Sequence, residues 1–308
     1  MKVIADHLKA HFSSGLHGED LETWNRIAGR IDAGSGLEQA LQSELISDLL
    51  YSEIVKITSS TVITAERKAI SQIITGDKLP PISRLLGHLA AGSPSINVVT
   101  TNYDRLVEVQ SELAGLGVDV GYPGSYASPY DPNSSARTHK STVRYGRLYR
   151  TVIDRHVRIF KPHGSLDWIK AHGIVRRSMT YPVPNPIIIA PGPSKYRTGY
   201  EEPFTRQREG ACAVLRAAQR FIALGYGFND DQLEQSWCAG LVCEKPLLIV
   251  TKDLTDNCRS LVEKSNSVIA LSRSPENPSY TLVAESGVPA TYVDRDLWSL
   301  DRFVSEMI

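Results

Sequence analysis

Three short segments join small polar residues, an imidazole and glycines directly after apolar runs. They are Thr100-Thr101-Asn102-Tyr103-Asp104, Lys161-Pro162-His163-Gly164-Ser165 and Gly225-Tyr226-Gly227-Phe228-Asn229-Asp230. A histidine titrates near neutral pH and can act as a general base. An asparagine carbonyl can place a water and offer partial negative charge without titrating. Glycines let the backbone come close to a ligand. Taken singly, each residue has an ordinary explanation. Asn102 and Asp104 could cap the helix that follows, His163 could be a hydrogen-bonded loop residue, and Gly225 and Gly227 could serve a tight turn. Their shared position after a strand gives them weight, because open α/β sheets bind ligands beyond the carboxyl ends of their strands.

The elements that must position these residues are legible in outline. From residue 96, apolar runs at 96–100, 157–160, 187–190, 221–224, 247–251, 268–271 and 290–293 alternate with turns and amphipathic stretches. This pattern predicts an α/β fold with a mostly parallel sheet and crossover helices. Residues 1–95 read as helical. Ser35-Gly36-Leu37-Glu38 has the form of a capping box, and Leu37, Leu41, Leu45, Leu49, Leu50 and Ile54 recur as one apolar stripe. Residues 68–74 and 81–90 continue the helical pattern, and so do Leu233, Trp237 and Leu241 after the third motif. Residues 122–135 read as a loop. Residues 137–161 hold eight Lys/Arg against the single acid Asp154. Such a run is first a solvated basic face, with an anionic ligand or an acidic partner as the alternative.

Composition narrows the function classes. The chain has 308 residues, 34 Lys+Arg, 34 Asp+Glu and four cysteines. The 42% hydrophobic content excludes general disorder, and the zero net charge argues against a surface built wholly for nucleic acid. No apolar run reaches the ~18 residues of a membrane span, and residues 1–12 do not resemble a signal peptide. The cysteines are too loosely spaced for a disulfide framework, so a cytoplasmic location is expected.

The three motifs, in this order and at these intervals, resemble the sirtuin-like family, and above all its bacterial branch that hydrolyses NAD in anti-phage defence. The resemblance covers about residues 80–300. It implies a Rossmann-type core with NAD across the strand ends and a helical lobe beside it. The chain is then one module, with a lobe at 1–95 and a core at 96–308 that carries an insertion at about 117–157. It implies that Asn102 lies beside the nicotinamide ribose, with Thr101 adjoining and Asp104 holding the nicotinamide pocket. His163, flanked by Gly164 and Ser165, becomes the general base toward the ribose hydroxyls. Gly225, Gly227, Asn229 and Lys252 are assigned to the adenosine half. The implied activity is an NAD glycohydrolase, an NAD-depleting effector switched on by a sensor partner or by homo-oligomeric assembly. The alternative is a catalytically silent nucleotide-binding or scaffold subunit. Membrane and direct nucleic-acid partners are not expected.

Two departures from the family stand out. Zinc-bearing deacylases carry two Cys-x-x-Cys pairs; here Cys212, Cys238, Cys243 and Cys258 form none, so neither a zinc module nor any metal is expected. The Gly-Ala-Gly-x-Ser loop that cradles a pyrophosphate is also missing, and residues 1–12 read like the helix that normally follows it. Gly34-Ser35-Gly36 is the nearest glycine pair, but no strand precedes it. Loss of a central strand leaves its neighbours' backbone groups to be satisfied otherwise. A truncated chain, a completing partner or a lineage without NAD cleavage would each account for it.

Overall fold

The computed structural model describes residues 2–13, 15–190, 202–229 and 245–308. They divide into two compact units, Met1–Lys78 with Ser93–Arg208, and Leu79–Gly92 with Glu209–Ile308.

The first unit opens with four helices, α1 (Lys2–Phe12), α2 (Gly18–Asp32), α3 (Leu37–Gln42) and α4 (Asp48–Thr75). Leu8, Phe12, Trp24, Ile27, Leu41, Leu50 and Ile54 form its buried helical core. The single stripe expected over residues 37–54 is broken in two. Gly36 takes the N-cap position of α3, where no side-chain cap bond is made. Ser47 then restarts the chain as α4 by accepting a hydrogen bond from Leu50 N at 3.1 Å. Leu45 and Leu49 fit the periodicity, yet they are 94% and 76% exposed at that break. Helix α5 (Pro81–Gly92) belongs to the second unit. It begins at a proline whose fixed φ suits a first helical turn.

Strand β1 (Ser95–Val99) leads into α6 (Leu106–Leu113), β2 (Gly117–Asp119), β3 (Ala127–Pro129) and α7 (Pro132–Thr138). The hairpin β4 (Lys140–Tyr145) and β5 (Leu148–Ile153) follows, and then β6 (His156–Phe160). β1, β6 and β2 form a three-stranded parallel sheet with β6 at its centre. β6 is accordingly buried at four of its five positions, His156, Val157, Ile159 and Phe160. β7 (Trp168–Ala171) and β8 (Ile174–Ser178) form a second small sheet with β3, in the order β3-β8-β7. The expected strand at 187–190 is reduced to one bridge, Ile188 to Gly164. Pro186 and Pro191 bound that run, and proline cannot donate to a ladder.

Helix α8 (Phe204–Ala217) leads to β9 (Phe221–Leu224), β10 (Leu247–Val250), α9 (Asp256–Lys264), β11 (Val268–Arg273), β12 (Thr281–Glu285), β13 (Thr291–Val293) and α10 (Leu300–Met307). The second unit holds a five-stranded sheet in the order β13-β12-β11-β10-β9. β9, β10 and β11 are parallel, while β12 and β13 return antiparallel. Leu85 of α5 packs with Val250, Leu271, Phe303 and Val304 in this unit's core. The mixed α/β class is as the sequence indicates, but the parallel strands lie in two sheets, one in each unit. The helix expected around residues 233–241 lies outside the described residues.

Candidate active site at the strand ends

In the first unit, the parallel register aligns Val99 with Phe160. One more ladder bond, Thr100 N to Phe160 O at 3.0 Å, carries the pairing past both strand ends. The Thr-Thr-Asn-Tyr-Asp and Lys-Pro-His-Gly-Ser segments therefore leave the sheet side by side. They are then tied to each other. Leu166 N and Ser165 Oγ both donate to Tyr103 O, at 3.1 and 3.3 Å. Lys161 Nζ donates to Asp104 O and to Ser165 Oγ, and it pairs with Glu108 Oε1 at 2.7 Å. The Lys161 side chain is only 2% exposed, so its ammonium is held entirely by protein groups. Burial pushes the Glu108 carboxyl above the usual carboxylate range, against the pull of Lys161.

His163 and Ser165 are buried and Asn102 is exposed, with Thr101 and Asp104 between these extremes. Asp104 does bond at the helix start, its Oδ1 accepting from Leu106 N at 3.0 Å. Asn102 stands three residues ahead of Arg105, the N-cap of α6, so capping does not account for it. His163 O accepts from Ile189 N at 2.9 Å. Gly164 is required where it stands. Its φ is +87°, and a Cβ there would meet Ile187 O at 2.2 Å. The next acid, Asp167, is buried and pairs with Arg177 at 2.9 Å. Burial pushes its carboxyl up, but Arg177 and Lys161 pull harder and hold it below the usual range.

Helix α4 braces the first motif from behind. Glu66, whose side chain is wholly buried, accepts from Arg105 N at 2.5 Å, from two guanidinium nitrogens at 3.3 Å and from the Tyr181 hydroxyl. The Arg105 guanidinium also lies 3.4 Å from the centroid of the Tyr181 ring. A cavity of about 880 Å³ borders the same unit's α4 at Val55 and Ser59 and the chain at Ile187 and Ile188. Its described lining includes neither Asn102 nor His163.

In the second unit, β9 and β10 end in register at Leu224 and Val250, opposite Leu271 of β11. Gly225 follows with φ +59° and nothing within 4 Å of where a Cβ would stand. Its positive φ is by itself a reason for glycine there. Gly227 differs, because a Cβ there would crowd Thr255 Cγ2 at 3.0 Å and Asn229 Nδ2 at 3.1 Å. Packing against α9 explains this glycine without a ligand. Asn229 Oδ1 accepts from Asn257 Nδ2 at 3.0 Å, which fixes its side chain at the start of α9. Lys252 is exposed just past β10, its carbonyl accepting from Arg273 N at 3.0 Å. Asp230 lies outside the described residues.

The SIR2-like domain family matches residues 96–270, more than half of the chain and a span that includes all three motifs. The chain belongs to the SIR2-like family. SIR2-like domains bind NAD, and the family includes NAD-dependent enzymes. No curated protein matches the chain. Among the described residues of this SIR2-like protein, no group of three or more His, Cys, Asp or Glu side chains is arranged to hold a metal. Cys212 and Cys258 are thiols, while Cys238 and Cys243 lie outside the described residues. No described helix is long and apolar enough to cross a membrane.

The motifs pointed to the strand ends without revealing what holds them. Glu66 precedes Arg105 by 39 residues, and no local pattern marks it as a partner. Lys161 stood inside a motif, and its pairing with Glu108 follows only once β1 and β6 are in register.

Proposed function

We propose that this SIR2-like protein is an NAD glycohydrolase that releases nicotinamide and ADP-ribose. The observation that carries this reading is the hydrogen-bonded junction of the two motifs beyond the carboxyl ends of β1 and β6. Breaking the bond between ribose C1′ and nicotinamide yields a neutral leaving group, so no strong general acid is required. What needs stabilising is an oxocarbenium-like sugar, the problem that glycosidases also meet. In this reading the Asn102 amide oxygen places the attacking water and faces the developing positive charge. The His163 imidazole takes the proton from a ribose hydroxyl or from that water, a contribution of about 10²–10⁴ in rate. Thr101, Asp104, Gly164 and Ser165 shape the nicotinamide and ribose contacts, and Gly225, Gly227, Asn229 and Lys252 are assigned to adenosine. The biological role we infer is NAD depletion in anti-phage defence, held off until a partner or assembly permits it.

Incubating the protein with NAD and separating the products by chromatography tests the chemistry. Release of nicotinamide and ADP-ribose should be abolished by Asn102→Ala and by His163→Ala, each variant keeping its fold by circular dichroism. A folded His163→Ala protein that releases nicotinamide at the parent rate would falsify the assignment. A second reading is a silent nucleotide-binding scaffold, favoured by a cavity whose described lining includes neither Asn102 nor His163. Its signature is calorimetric binding of ADP-ribose with no turnover of NAD under any condition of assembly.

A further inference from the structure

Among the described residues, the β4–β5 hairpin makes a two-stranded sheet of its own. Gly146, at φ +61°, turns the chain between Tyr145 and Leu148, the place where hairpin turns favour glycine. Directly opposed residues share a face, and the register pairs Tyr145 with Leu148, Val143 with Arg150 and Ser141 with Val152. That face is therefore largely apolar. It nevertheless lies in solvent, with Leu148 73%, Tyr145 62% and Val143 40% exposed. The opposite face carries Lys140, Thr142 and Arg144 against Ile153, Thr151 and Tyr149. An isolated two-stranded hairpin is at best marginally stable in water, and an antiparallel sheet with one apolar face normally has that face covered.

We propose that the hairpin is an arm whose apolar face docks on the body of a second copy of this chain. Charge selects this occupant. Residues 140–153 hold four of the 34 basic residues and none of the acidic ones, which leaves 30 basic against 34 acidic elsewhere. A second copy thus offers a net-negative body to Arg147 at the tip and to Arg150 within the docking face, and two copies of a neutral chain do not repel as wholes. Arm-on-arm stacking would instead set one copy's cations against the other's. The cations are mostly arginine and the aromatics tyrosine, the side chains enriched at protein interfaces.

Sedimentation velocity of the full chain over a wide concentration range tests this. The wild type should associate reversibly. The double variant Tyr145→Ser/Leu148→Ser should associate at least about tenfold more weakly, the scale of truncating interface anchors. Arg147→Glu/Arg150→Glu should weaken association too, and more so at low salt. Both substituted sites are exposed, so melting temperature should hold and separate lost docking from lost folding. A chain that stays monomeric at every concentration overturns the proposal, as does association indifferent to both variants. A monomer that instead binds a duplex DNA oligonucleotide through the same residues, with steep salt dependence, assigns the arm to nucleic acid and overturns it as well.

Discussion

Replacing Lys161 with methionine probes the junction directly. The substitution keeps most of the buried stem and removes the ammonium, and with it three bonds: to Glu108, to Asp104 O and to Ser165 Oγ. Glu108 is then left 8% exposed with no counter-charge in its place. Removing one partner of a buried pair costs about 3–5 kcal/mol, which in a domain of this size lowers the melting temperature by about 6–20 °C. The pH dependence identifies the cause. Glu108 holds its proton more tightly folded than unfolded, so its contribution to stability falls as pH rises from the ordinary glutamate range through its raised folded value. Without Lys161 that folded value climbs further. The deficit of Lys161→Met against the wild type should therefore grow as pH rises above the ordinary glutamate range and shrink as pH falls back toward it. The double variant Lys161→Met/Glu108→Leu should recover much of the loss, since an apolar pair replaces an unpaired buried charge. Thermal melts of all three proteins across that pH range decide it. A deficit that does not change with pH, or a double variant no better than the single one, refutes the reasoning.

Other substitutions test neighbouring contacts. Gly164→Ala puts a methyl against the backbone at Ile187 O at positive φ and should cost about 1–3 kcal/mol or more in denaturant titrations. Gly115→Ala, at φ +72° with open space around it, should cost less. In Arg177→Met the folded pKa of Asp167 rises. The stability Asp167 contributes above the aspartate range is then lost earlier as pH falls, so the acid-unfolding midpoint should move to higher pH by circular dichroism. Glu66→Ala strips Arg105 and Tyr181 of their shared acceptor and should lower stability by about 3 kcal/mol, with Glu66→Gln intermediate in the same melt.

The strands that carry the motifs were readable as short apolar runs bounded by turns, although only β6 among them is mostly buried, β1 and β9 being half-buried or exposed. β1, β6, β9, β10 and β11 all fall within two residues of the expected limits. The helical lobe was legible as helix but not in its joints. Leu45 and Leu49 continue the stripe by type, and only the competing cap at Ser47 places them outside it. Strands as short as β2 and β3, of three residues each, cannot display a period at all. The hairpin was hidden by its charge, since a basic run reads as solvated surface whichever backbone it adopts. Which side chains lock the site was the least legible part. The partners of Lys161 and Arg105 sit on separate helices, and the choice among many acids is made by packing.

The root of the hairpin has a use beyond its own contacts. Asp154 N bonds to His139 O at 2.9 Å, and the rings of His139 and His156 stack at 4.7 Å. The two ends of residues 140–153 are thus clamped together before β6 begins, and the five pairs from Ser95–His156 to Val99–Phe160 set the register independently. Doubling the length of a flexible loop costs only about 0.6 kcal/mol in closure entropy. The position is therefore a natural graft point. The arm can be trimmed, exchanged or replaced by a reporter sequence while the strands below it keep their alignment.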